Sequence, residues 1–451
     1  MTLANLLLEH PFADDEALLH TVDRTVSAGQ AKAAAQQVAH DLGNLDRRAV
    51  AVQLPNGPEL VSTMAGVWFA GGVYVPVNPR SPQRDVESVL GTTRPAVSIS
   101  EGGVRTLEGA HRYADETAFV TWTSGTTGRP KPIQHTHTAY LELLDRVLAP
   151  VRGTGATAKR PTPNLIPVSM ALNAGLYNTL FGLRAGAALV IMDRFEPKVF
   201  ADLVRRFEIR STVLPPAAMV MLTETEAVDD LGPLKYVRSI TAPLSPLQAQ
   251  RFAARFPVYV LNGYGQAEIG EVIGWTAADA KTYPEKIGAV GKPHPGVDVR
   301  VNGDGHLVVR PPNTAIGIEH RLDAEGFIDT GDLARIDDDG FVWIEGRASD
   351  VINRGGNKVV PQPVEDVLRL SPAVDDVAIV GAHDDRLGEV PVAFLVGRPV
   401  PDDELVKLCR EYLVAYKVPS KFHWVGELPR SEIGKVLPAE LVRIAGTSTT
   451  E

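Results

Sequence analysis

The chain is expected to be an α/β protein. A large N-terminal domain of largely parallel sheets flanked by helices leads into a β-rich subdomain, and a small C-terminal α+β domain follows. Three observations predict this. From about residue 47 to 261, short β-branched runs alternate with helical patterns, the texture of parallel sheets covered by helices. Near Val297 the texture changes: VDVRV-NGDG-HLVVR and ARI-DDDG-FVWIEG are strands flanking turns that contain Asp-Gly, the mark of antiparallel hairpins. Beyond GRASD (346–350) strand and helix patterns of a smaller module run to the end.

The elements can be taken in order. AVAVQL (49–54) is a buried strand and PELVSTMAGVWFAGG (58–72) a helix stopped by glycines. VYVPV, FVTWT, AALVIM, STVLP and VYVLN supply further strands. Among the helices between them, KVFADLVRRFEI places Val199, Leu203 and Phe207 on one face. In the last module, PDDELVKLCREYL starts with a capping aspartate and aligns Leu405, Leu408, Cys409 and Tyr412. The expected domains are 1–346 and 350–451, joined by a hinge at 347–349. No internal repeat interrupts this order.

Composition narrows the function. At 451 residues the chain can build two or three domains, and its 44% hydrophobic and 22% charged content is that of a soluble globular protein. A net charge of −10, scattered and without a basic stripe, argues against a nucleic-acid partner. Cys409 is the only cysteine, so an intramolecular disulfide and a thiolate metal site are excluded and a reducing compartment fits. The start, MTLANLLLEHPFADDEALL, lacks the basic region of a signal peptide. No apolar run reaches the roughly 20 residues of a membrane helix, and the tail TSTTE has no lipidation motif. A cytoplasmic enzyme with no membrane span is expected. Cys409 lies on the apolar helix stripe and reads as core rather than nucleophile.

The strongest local signal is Thr123-Ser124-Gly125-Thr126-Thr127-Gly128-Arg129-Pro130-Lys131, directly after the apolar strand FVTW. Glycines let backbone N–H groups close on an anion, hydroxyls add donors, and lysine brings a mobile positive charge. That chemistry suits a polyphosphate. No Gly-Lys-Ser/Thr closes the loop and there is no GxGxxG, so neither a Walker A loop nor a Rossmann fingerprint is present.

The string resembles the phosphate-binding signature of the adenylate-forming superfamily, which spans acyl-CoA synthetases (AMP-dependent ligases), adenylation domains and beetle luciferases. The resemblance continues in the family's order along nearly the whole chain. It runs through VAVQLPNGPELVSTMAGVWFAGGVYVPVNP, NGYGQAE (262–268), DTGDLARIDDDGFVWIEGR (329–347), INRGGNKVVP (352–361) and PRSEIGK (429–435). It implies that ATP activates a small-molecule carboxylic acid as an acyl-adenylate, with coenzyme A as the following acceptor.

Residue roles are implied where the motifs match. Ser124, Gly125, Thr126, Thr127, Gly128 and Lys131 would hold the β- and γ-phosphates. Tyr264 and Gly265 would lie at the adenine, and Asp332 would accept from both ribose hydroxyls with Arg347 beside it. Glu268 with Thr123 would coordinate Mg²⁺, a sparse ligation that suits a cation also held by substrate phosphates. Lys435, carried on the mobile C-terminal domain, would neutralise charge at the α-phosphoryl group during adenylation. Gly356 would let the coenzyme A thiol pass.

Five positions depart from the family pattern: Pro132 after the loop lysine, Ala267 before Glu268, Ile240 in RSITAPLS, Ser349 at the hinge and Pro363 where glutamate is common. The acyl pocket is expected from PVSMALNAGLYNTLFG (167–182), where Met170, Leu172 and Tyr177 would suit a fatty or aryl acid and no aspartate grips an amino group. INRGGNKVV resembles the coenzyme A version of its motif, yet carrier-protein acylation uses the same tunnel. A separate acyl or peptidyl carrier protein, or an amine, therefore stands as the alternative acceptor. The chain ends 16 residues after Lys435, so any carrier is expected to be a separate protein. A non-catalytic nucleotide-binding regulator would be expected to lack Lys435, Glu268 or Asp332, and all three are present.

Overall fold

A computed structural model describes residues 1–108, 111–123, 131–149, 161–240, 242–430 and 436–447. Two helix-flanked sheets dominate. One has six strands, in the spatial order Gly103–Thr106, Val97–Ser100, Ala49–Gln53, Val73–Pro76, Thr117–Thr123 and Lys131–Thr136. Its four inner strands are parallel and its two edges antiparallel. The other has nine strands and a parallel interior running from Tyr259–Gln266 through Tyr236–Ser239, Ser211–Val213, Asn164–Ile166 and Leu189–Ile191 to Ala17–His20.

Buried parallel strands need apolar residues on both faces, and Ala49–Val52, Leu165–Ile166 and Leu189–Ile191 are almost wholly inaccessible. Helix Ala28–Leu42 packs against Pro58–Phe69 through an alanine face, Ala28, Ala31 and Ala35. Its start is fixed by a capping box: Gln30 N–H donates to Ser27 Oγ at 3.2 Å, and Ser27 N–H to Gln30 Oε1 at 3.0 Å.

The predicted hairpins form a third, four-stranded antiparallel sheet of Asp298–Val301, His306–Arg310, Ile328–Ile336 and Val342–Arg347. A short 3₁₀ turn, Ala348–Asp350, follows. The fourth sheet pairs Ile352–Arg354 and Asn357–Val359 with the long hairpin Val374–Asp384 and Gly388–Gly397, and Lys421–Trp424 adds in parallel. Its core gathers Val364, Val367, Leu395, Leu405 and Cys409. Helix Pro361–Leu368 packs on helix Pro246–Arg255, and Leu247 reaches the fourth sheet's core. Arg251 donates to the Leu370 carbonyl at 3.4 Å. Pro363 falls in the first turn of its helix, where a missing N–H costs nothing.

Two local expectations shift. Helix Pro197–Arg206 buries Phe200, Ala201, Leu203 and Val204, while Val199 and Phe207 pack at the margin. Burial there follows the wider stripe centred on Phe200. Helix Asp402–Tyr412 starts from Pro401 with no side-chain cap, because Asp402 is itself the first helical residue. Leu405 and Cys409 are buried as expected, whereas Tyr412 is 55% exposed.

Candidate nucleotide and acyl site

Antiparallel pairing of the third sheet sets Asp332 directly opposite Arg347, and their side chains meet, Nε to Oδ1 at 2.8 Å. Tyr264, from the strand Tyr259–Gln266, donates its hydroxyl to Asp332 Oδ2. Gln266 adds Nε2 to the same oxygen at 3.3 Å and to the Thr330 carbonyl at 3.0 Å. Burial and the adjacent Asp332 carboxylate push the Tyr264 phenol upward, so it stays a donor. Asp332 is 5% exposed, and its backbone N–H is held by Thr330 Oγ1 at 3.2 Å.

A carboxylate offers about four lone-pair positions. Tyr264, Gln266 and Arg347 already engage three, so acceptance from two ribose hydroxyls requires one protein donor to withdraw. Arg347, whose side chain is 48% exposed, is the donor with an easy route to water. Sequence reasoning missed Gln266, although it lies inside NGYGQAE.

Glu268 sits in the turn between Tyr259–Gln266 and Gly270–Gly274. Its carbonyl accepts from Ala315 N–H at 2.8 Å, and its carboxylate is 3.0 Å from Arg321, another residue without a sequence signal. Gly265 makes that turn possible: a Cβ there would lie 2.1 Å from the Gly270 carbonyl oxygen and 2.8 Å from Glu271 Cα. The strand bulges between Tyr264 and Gly265. No group of three or more potential metal ligands exists among the described residues. A lone carboxylate fits Mg²⁺ held mostly by substrate phosphates and water rather than by a protein cage.

Ser124, Gly125, Thr126, Thr127, Gly128 and Lys435 lie outside the described residues, as does the Thr123 side chain. Lys131 opens the strand Lys131–Thr136, exposed and in register opposite Thr123, with Pro132 opposite Trp122. Gly356 lies between Ile352–Arg354 and Asn357–Val359 with φ +85° and open space around it. Ser349 donates to Asp350 at 2.7 Å.

In the acyl segment, Met170 and Tyr177 are buried and Leu172 is 53% exposed. Asn56, from the first motif, anchors this segment. Its Nδ2 donates to the carbonyls of Val168 and Met192, both at 2.9 Å, and its Oδ1 accepts from Met170 N–H at 2.8 Å.

Tyr177 leads to a buried polar group that sequence reasoning also missed. Its hydroxyl donates to Glu271 Oε2 at 3.1 Å, while Oε1 meets Arg238 and, at 3.1 Å, His294 Nε2. Burial pushes the Glu271 carboxyl up, but Arg238 and His294 prevail and hold it down at about 2. Glu271 lies against the nucleotide strand: a Cβ on Gly263 would be 3.1 Å from both Glu271 Oε1 and the Ile240 side chain. A glutamate inside the apolar run EVIGW was the available signal.

The AMP-binding enzyme family matches residues 9–317, and the AMP-binding enzyme C-terminal domain matches residues 363–435. 4-Coumarate-CoA ligase 1 of Narcissus pseudonarcissus is 26% identical over 96% of this chain and 91% of its own. The o-succinylbenzoate CoA synthetase of Bacillus subtilis, solved with its acyl-adenylate intermediate, shares the fold at TM-score 0.84, with 24% identity and 97% of each chain covered. The amide bond synthetase McbA of Marinactinospora thermotolerans shares it at TM-score 0.82, with 22% identity over 98% of this chain and 99% of that one. The chain therefore belongs to the AMP-binding enzyme family, within the adenylate-forming superfamily.

Proposed function

We propose that this enzyme couples a fatty or aryl acid to coenzyme A through an acyl-adenylate. A carboxylate oxygen forms a bond to the α-phosphorus of ATP and the bond to pyrophosphate breaks. The coenzyme A thiol, losing its proton, then attacks the acyl carbon and AMP leaves with the bridging oxygen. The observation that carries this reading is the convergence of Tyr264, Asp332 and Arg347 from distant segments into one hydrogen-bonded group. We read that group as a ribose site; Glu268 follows its member Gln266 by two residues and shares a cleft with His135 and Thr136 of the strand that Lys131 opens. The relationship to 4-coumarate-CoA ligase supports the acid–thiol assignment.

The roles proposed for this chain follow the motifs. Ser124, Gly125, Thr126, Thr127, Gly128 and Lys131 hold the phosphates, and Tyr264 and Gly265 the adenine side. Arg347 yields part of Asp332 to the ribose. Glu268 and Thr123 would hold Mg²⁺, which, when bound, neutralises phosphate charge. Residues 1–346 and 350–451 act as two domains about a hinge at 347–349. That hinge presents Lys435 for adenylation and Gly356 for thiolation.

The fold is shared with an amide bond synthetase, so fold alone does not choose the acceptor. Pyrophosphate release across a panel of carboxylic acids, with and without coenzyme A, tests the reading. Acid-dependent pyrophosphate with a thioester product supports it. Acid-dependent pyrophosphate without a thioester, whatever the acid, transfers the second step to a carrier protein or amine.

A further inference from the structure

Arg146 belongs to helix His137–Leu148, and neither step proposed above uses it. Its side chain faces a small cleft between that helix and the motif turn, lined by Tyr140, Leu143, Ala267, Glu268, Ile269 and Gly270 among others. Arg146 Nε is inaccessible to water and lacks a hydrogen-bond partner. Among the described residues no hydrogen bond or ion pair reaches this guanidinium. A half-buried cation in that state is costly unless something completes its coordination.

The acidic groups around it are already committed. Glu271, whose charge acts on Arg146, is engaged at both oxygens by Arg238, His294 and Tyr177. Glu142 accepts from Asn313. Asp145 is held bidentately by Arg184 at 2.9 and 2.6 Å. Glu268, in the cleft itself, faces Arg321 at 3.0 Å. Arg146 and Arg238 thus share the one buried carboxylate of Glu271, while Glu142, whose charge also acts on Arg146, is exposed and screened by water.

We propose that Arg146 reads a second carboxylate on the acid that this enzyme activates, an inference that rests on the acyl-adenylating reading. A guanidinium fork matches a carboxylate through two parallel hydrogen bonds. The free volume of the cleft, about 30 Å³, suits a group of that size and not a whole acid. Helix His137–Leu148 packs against helix Asn173–Arg184 of the acyl segment, and Tyr177 from that helix bonds Glu271, the neighbour of the cleft residue Gly270. That placement favours the acid over the ATP phosphates as the source of the anion. The substrate class is a dicarboxylic acid with an apolar body.

ATP–pyrophosphate exchange with adipate against hexanoate, and terephthalate against benzoate, tests this on wild type, Arg146→Met and Arg146→Lys. Wild type is expected to prefer the diacid of each pair by about 10–100-fold in kcat/KM. Arg146→Met should bring the ratio close to one by raising KM for the diacid, and Arg146→Lys should fall between. Thermal melts identify a variant that has not folded, in which case the lysine variant carries the comparison.

Preference for the monoacid, or a ratio that ignores both substitutions, overturns the proposal. A rise confined to KM for ATP also overturns it and assigns Arg146 to the triphosphate. Absence of exchange with every acid overturns the acyl-adenylating reading instead. Calorimetric binding of adipate to wild type and to Arg146→Met then still decides the role of Arg146.

Discussion

Replacing Asp332 by asparagine keeps the shape of the side chain and removes one charge from the centre of the proposed ribose site. The carboxylate accepts from Tyr264, Gln266 and Arg347. An asparagine can keep the acceptor toward Tyr264, but its amide N–H then points at the Arg347 donor. Arg347 is half exposed and can turn to water, so that ion pair contributes at most about 1 kcal/mol. The buried bond from Tyr264 loses its charge assistance. Together these predict a stability loss of about 1–2 kcal/mol.

The effect on nucleotide should be larger. One lost charge-assisted bond to a ribose hydroxyl is worth about 1.5–3 kcal/mol, roughly 10–150-fold in KM for ATP. Pyrophosphate exchange at varied ATP reads this directly, with a urea titration reporting stability in parallel. The expected pattern is a raised KM for ATP with KM for the acid nearly unchanged. If stability falls while KM for ATP stays within twofold, Asp332 only ties the third sheet to Tyr264, and the ribose assignment is wrong.

Three further outcomes follow from the structure. Glu271→Gln leaves Arg238, 14% exposed, without its counter-ion and should cost about 3–5 kcal/mol; adding Arg238→Met should recover part of that in denaturant titrations. His135 is buried and its imidazole is lowered to about 4 by that burial, so the folded state binds its proton less readily than the unfolded chain. Stability is therefore complete above pH 6.5 and should fall as pH drops from 6.5 toward 4, a slope that His135→Gln makes shallower in pH-dependent melts. Lys435→Ala should slow adenylation roughly 10²–10³-fold yet still convert a supplied acyl-adenylate to thioester, and Gly356→Leu should do the reverse. Equal damage to both half-reactions in each variant would remove the case for domain rotation.

Much of the fold could be read because its signals are local. β-Branched runs between helical patterns marked the parallel strands, and Asp-Gly turns placed both hairpins of the third sheet. The N-terminal strand Ala17–His20 was not visible. It is four residues long and enters the parallel interior by pairing with Leu189–Ile191, far along the chain, with Thr25–Ser27 on its other side. In the site, Tyr264, Asp332 and Arg347 were identified by motif, and pairing of adjacent strands brings the last two together. Arg321 and Arg146 carried no motif. Their meaning comes from which neighbours are already engaged, and that depends on tertiary contact. The Arg238–Glu271–His294–Tyr177 group is similar, since only one charge within an apolar run betrays it. Asn56 was inside the first motif, but its two bonds to the acyl segment and one to Met192 depend on how distant loops meet.

In the proposed reaction a carboxylate oxygen becomes bonded to the α-phosphorus of ATP. The most direct measurement follows oxygen atoms: an accepted acid labelled with ¹⁸O in its carboxylate is turned over with ATP and coenzyme A, and the products are weighed by mass spectrometry. Formation and thiolysis of an acyl-adenylate must leave one labelled oxygen on AMP, with pyrophosphate unlabelled and one AMP for each thioester. Label in inorganic phosphate with ADP as the nucleotide product, or AMP free of label, would contradict the adenylate route and with it the account of this site.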